Sequence, residues 1–134
     1  MLSKSCRPND PPVHKTTLLR ASDDYGSGRY REALLWSNEI VAACPREAWG
    51  WRFRGDCLMS LGRLSEATGC FDRALDLGGD GTEDTFLWKA LAQHQAGNTE
   101  GAERTLQDFL DRGDGAGELA TKARAILQRL RLTH

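Results

Sequence analysis

Three glycines constrain this chain more than any other feature of its sequence. Gly28, Gly62 and Gly97 stand 34 and 35 residues apart, and each is followed five residues later by an alanine: Ala33, Ala67 and Ala102. Glycine accepts the positive φ that ends a helix without strain. An alanine early in the next helix lets two backbones cross closely. The pairing therefore predicts a helix–turn–helix unit in three copies. Apolar residues around it recur at helical rather than alternating spacing. Helices are expected near 15–26, 30–43, 47–60, 64–77, 83–95 and 99–112, with no strands. One such hairpin cannot bury its apolar face alone, so successive copies must stack. After a GDGAG break, Glu118–Leu132 carries Leu119, Ala123, Ile126, Leu127 and Leu130 on one stripe, which predicts a closing helix over the last hairpin.

The central copy is the most regular. Trp51, Gly55 and Leu58 mark its first helix, and Ala67, Phe71 and Ala74 its second. These residues and spacings resemble the tetratricopeptide repeat, whose template places Trp, a small residue, Ala and Phe at matching positions. Ala21 and Pro45 fit the copy before it, and Phe86, Ala90 and Phe109 the copy after it. The resemblance implies an all-α fold: a right-handed α-α superhelix, or tetratricopeptide-like solenoid, of three hairpins and a capping helix. The repeats are expected at 14–47, 48–81 and 83–116 and the cap at 117–132, in one domain spanning 14–134. Residues 1–13 hold three of the four prolines and no periodicity, and read as a flexible arm. The chain also departs from the template. The first copy has Thr17 for Trp and Ser37 for Phe, and Asp24 and Gln93 stand where the central copy has Leu58. Arg20, Arg54 and Lys89 occupy a position usually held by leucine, each preceded by an apolar residue: Leu19, Phe53 and Trp88.

In the family the first helix of each repeat faces a concave groove that binds ligands. Transferred here, that face collects Leu18, Leu19, Ser22 and Tyr25, then Trp49, Arg52, Phe53, Asp56 and Met59, then Leu87, Trp88, Leu91, His94 and Gln95. Apolar and aromatic residues exposed together mark interaction sites. The resemblance thus implies a non-catalytic module that binds a peptide or helix of a partner protein. Its groove is expected to be lined by Tyr25, Trp49, Arg52, Phe53, Met59, Leu87, Trp88, Leu91 and His94. Two other functions fit the same residues. One is a chaperone of the bacterial secretion type, shielding a hydrophobic client. The other is a self-associating structural module, a homodimer for example. The protein's own arm is a further occupant of such a groove. The clamp by which some members of the family grip acidic chaperone tails is not expected, because its Lys, Asn and Arg positions hold Leu18, Ser22, Phe53, Asp84 and Trp88 here.

The remaining sequence argues against other classes. The net charge of −1 offers no bulk attraction to nucleic acid or anionic membrane. The four bases of the cap helix lack interleaved aromatics, so they read as helix-end cations beside an acidic third repeat. No apolar run is long enough to cross a bilayer, and the first residues lack a secretory h-region, so a cytoplasmic location is expected. Cys44, Cys57 and Cys70 lie thirteen residues apart, unlike any zinc spacing, and with Cys6 are expected to be reduced. His14, His94 and His134 are scattered, and no phosphate loop, nucleophile elbow or zinc-protease motif occurs. Asp80, Thr82 and Asp84 suggest a calcium loop only superficially, since Thr85 and Leu91 replace its Gly and Glu. No catalytic residue, metal or cofactor is therefore expected.

Overall fold

A computed structural model describes residues 12–78, 83–113 and 117–132, with side chains from Thr17 onward. The greater part of the expected arm and the GGDG linker lie outside the described residues. Seven helices follow one another: α1 (Pro12–Gly26), α2 (Tyr30–Ala43), α3 (Ala48–Ser60), α4 (Leu64–Leu77), α5 (Thr85–Gln95), α6 (Thr99–Arg112) and α7 (Gly117–Leu132). Each packs mainly on its neighbours in the chain, which makes an all-α solenoid, with no strand among the described residues. α1 starts three residues earlier than expected, at Pro12, a residue favoured in a first helical turn because its missing N–H has no partner there anyway.

The three hairpins turn in the same way. Gly28, Gly62 and Gly97 have φ of 80°, 78° and 89°. In each turn the glycine N–H donates to a carbonyl three residues back, and the next N–H donates to one five residues back. The second set runs Arg29 to Asp24, Arg63 to Leu58 and Asn98 to Gln93, all at 2.8 Å. These bonds satisfy carbonyls that the helix end leaves orphaned. Asn98 also caps α6, accepting from the Gly101 N–H at 3.0 Å.

The small residues sit where helices cross. Ala33, Ala67 and Ala102 are fully buried, and Ala21, Gly55 and Ala90 are buried across from them. The tightest crossing is at Gly55. A methyl group there would stand 2.6 Å from the Phe71 ring, which is itself 0% exposed. The core falls into two clusters. One joins Ala33, Leu34, Cys57, Leu58, Ala67, Cys70 and Phe71 with Ala92 of α5. The other joins Ala90, Ala102 and Leu106 to Ala123, Leu127 and Leu130 of the capping helix.

The departures from the template find physical partners. The basic row does not face the groove; it ties neighbouring helices. The Arg20 guanidinium lies 5.6 Å from the Trp36 ring centre. Arg54 donates to Asn38 Oδ1 at 2.7 Å and to Cys70 Sγ at 2.9 Å, bridging α2 and α4. Lys89 pairs with Asp72 at 2.6 Å. The two polar residues that stand for Leu58 are satisfied as well. Asp24 accepts from Trp36 Nε1 and Arg29 Nε, both at 2.9 Å, and Gln93 Oε1 accepts from Thr105 at 2.6 Å. Ser37, buried in place of an aromatic, donates to the Leu34 carbonyl at 2.7 Å.

The cysteines divide. Cys57 and Cys70 are free and buried. Burial, and then the neighbouring Asp56 charge, push the Cys57 thiol up to about 12, so it stays protonated at neutral pH. Burial raises Cys70 too. Cys44 corrects the expectation that every cysteine is reduced: it is disulfide-bonded. It stands at the C-cap of α2 rather than inside a helix, unlike Cys57 and Cys70. Among the described residues no helix is long and apolar enough to cross a membrane.

Candidate functional site: a pocket shared by α1, α3 and α5

The first helices of the three hairpins enclose one pocket of about 290 Å³. Tyr25 comes from α1, Arg52, Asp56, Met59 and Ser60 from α3, and Trp88 and Gln95 from α5. Arg52, Asp56, Met59 and Ser60 share one face of α3 because they recur at helical spacing. The Tyr25 hydroxyl lies 3.4 Å from Ser60 Oγ, and burial holds its pKa above the ordinary tyrosine value. Its ring stacks edge-on against Tyr30 at 5.2 Å and tilts against Phe53 at 5.8 Å.

Charge in the pocket is unbalanced. Arg52 makes a bidentate, end-on pair with Asp84, Nη1 to Oδ1 at 2.6 Å and Nη2 to Oδ2 at 3.0 Å. This pair joins α3 to the N-cap of α5, where a carboxylate also favours the helix dipole. The same guanidinium acts on Asp56, which remains pushed up to about 6. Burial is the main cause, and repulsion from Asp84 adds to it, with Arg52 opposing both. Among the described residues, Arg52 is therefore the cation that faces both Asp84 and Asp56.

Of the nine residues expected in the groove, Tyr25, Arg52, Met59 and Trp88 line this pocket, and Trp88 is 39% exposed. Phe53 is half-buried against the first core cluster and Leu87 against the second. Trp49 and Leu91 are half-buried, and the Trp49 indole N–H is buried with no hydrogen-bond partner among the described residues. His94 is exposed near the α5–α6 turn, its Nδ1 3.1 Å from Thr99 Oγ1, outside the pocket lining. Sequence reasoning placed Asp56 and Gln95 on the face but passed over them as site residues, and it missed Ser60 and the role of Asp84. The spacing of Arg52 and Asp84, close to one repeat length, was the available signal.

No protein-family model matches the chain, and no curated protein matches it in sequence. Solved structures match its fold closely. PcrH, solved with the chaperone binding region of PopD, superposes with a TM-score of 0.78 at 18% identity, over 95% of this chain and 97% of that one. The type III secretion translocator chaperone SycD of Yersinia enterocolitica gives 0.76 at 18% identity, over 95% and 98%. The TPR2B domain of yeast Sti1, solved in a complex with pHsp70, gives 0.74 at 17% identity, over 90% and 97%. Identities this low speak for architecture alone. The three hairpins and closing helix described above are the tetratricopeptide-repeat fold.

Proposed function

We propose that residues 14–134 act as one non-catalytic protein-binding unit, which takes a peptide or helix of a partner protein against the face built by α1, α3 and α5. One observation carries this reading. Among the described residues the pocket draws its lining from the first helices of the three hairpins, and it presents an exposed Trp88 beside Tyr25 and Met59. Large aromatic anchors beside polar groups are the usual centre of a binding surface. The solved complexes of Sti1 and PcrH with other proteins support the reading by likeness of fold.

The test uses side chains whose loss leaves the core intact. Trp88 and Gln95 line the pocket without joining either core cluster. A Trp88→Ala/Gln95→Ala chain should keep its helical circular dichroism. In capture from native-host lysate with mass-spectrometric readout, it should lose the partner retained by the wild type. Binding should weaken about tenfold or more, the range of a central aromatic anchor. Unchanged capture by a folded variant would exclude the pocket.

A second reading is favoured by the likeness to PcrH and SycD, which runs nearly end to end in both chains. On that reading the partner is a hydrophobic client held before export. Co-expression that raises the soluble yield of a membrane-active client supports it, and an unaltered yield rejects it.

A further inference from the structure

We propose that the pocket formed by Tyr25, Asp56, Met59 and Trp88 receives a lysine or arginine side chain of the partner segment, with the Asp56 carboxylate as its counter-ion. This rests on reading the α1–α3–α5 face as the binding surface.

Charge complementarity selects the occupant. Among the described residues, the charged and titratable groups around the site are Tyr25 from α1 with Tyr30 beside it, Arg52, Asp56 and the protonated Cys57 from α3, and Asp84 at the start of α5. Arg52 is already held end-on by Asp84. A ligand carboxylate would meet Asp56 with no further pocket cation among the described residues to receive it, whereas a ligand cation meets a carboxylate that shares Arg52 with Asp84. The half-buried setting that pushes Asp56 up to about 6 also makes an incoming cation more valuable there than in water.

Shape agrees with charge. About 290 Å³ is roughly ten water volumes, the scale of one long side chain rather than of a helix. The exposed Trp88 ring and the Tyr25 ring offer faces for a cation, and Met59 gives an apolar bed for a methylene stem. Ser60 Oγ and the Gln95 amide oxygen are further acceptors for ammonium or guanidinium protons.

The probe is a phage-displayed library of random peptides, selected on the immobilised full-length chain at pH 7.5. Enriched peptides whose binding is lost in Trp88→Ala define ligands of this face. They should carry Lys or Arg among apolar residues. Synthetic copies should bind Asp56→Asn about tenfold more weakly or worse, the loss expected for one charge-assisted bond. Their affinity for the wild type should fall as the pH is lowered from 7.5 to 5, while their affinity for Asp56→Asn stays level. Trp88-dependent peptides without a basic residue, or equal binding to Asp56→Asn, overturn the proposal and leave the binding face standing. No Trp88-dependent peptide at all overturns both. Tighter binding by a full-length Lys4→Ser/Arg7→Ser variant would make the chain's own first residues the occupant. A dimer that Asp56→Asn converts to monomer would make a second copy the occupant. Either result overturns the proposal.

Discussion

Replacing Phe71 by alanine should destabilise the chain by about 3–5 kcal/mol, read as a lower midpoint in urea followed by circular dichroism. The ring is 0% exposed and lies in the first core cluster with Leu58, Ala67 and Cys70. Its loss leaves a cavity at the middle of the stack, where both neighbouring hairpins depend on it. The converse substitution acts on the same contact. Gly55→Ala would drive a methyl to 2.6 Å from one ring carbon and 2.8 Å from another. Overpacking of this kind costs about 1–3 kcal/mol. A smaller side chain at 71 makes room for it, so Gly55→Ala/Phe71→Leu should lose less stability than the two single variants added together. Strict additivity would mean that the two residues are not in the contact described.

Asp56→Asn should make the folded chain more stable at neutral pH, by up to about 3 kcal/mol, and the gain should vanish in acid. The sign follows from proton affinity. Asp56 is pushed up to about 6, from an ordinary value near 3.8, chiefly by burial. The folded state therefore holds this proton more tightly than the unfolded state does. Above pH 6 the ionised carboxylate opposes folding; as pH falls from 6 towards 4 that opposition fades. Urea midpoints of wild type and Asp56→Asn should differ at pH 7.5 and converge near pH 4. A residue with a merely structural role would lose stability when replaced. Greater stability together with weaker binding of basic peptides is the pattern expected of a group kept for function.

The fold was legible because its strongest signals are local. A turn glycine and the alanine five residues later act within one hairpin, and their recurrence sets the helix boundaries to within a few residues. The site was legible only in outline. Arg52, Tyr25, Met59 and Trp88 can be placed on a helix face by counting, but counting does not tell a groove side chain from one that leans on a neighbouring helix. Arg54 and Lys89 illustrate this: next to the groove in sequence, they reach sideways to Asn38 and Asp72. Phe53 and Leu87 lean inward in the same way. Asp56 was hidden for a different reason. Its distinction is an environment, made by burial and by a carboxylate 28 residues further along the chain, which no spacing rule reports.

The two core clusters have a mechanical consequence. The first lies mostly in α2, α3 and α4, and the second in α5, α6 and α7; they meet where α5 gives Ala92 to one and Ala90 to the other. The pocket straddles that seam, with Tyr25 and Met59 packed against the first cluster and Trp88 and Gln95 carried by α5. Any change in the pitch of the solenoid at α5 opens or narrows the pocket. The Arg52–Asp84 pair joins α3 to the start of α5 across this seam, so it opposes a shift of one helix against the other.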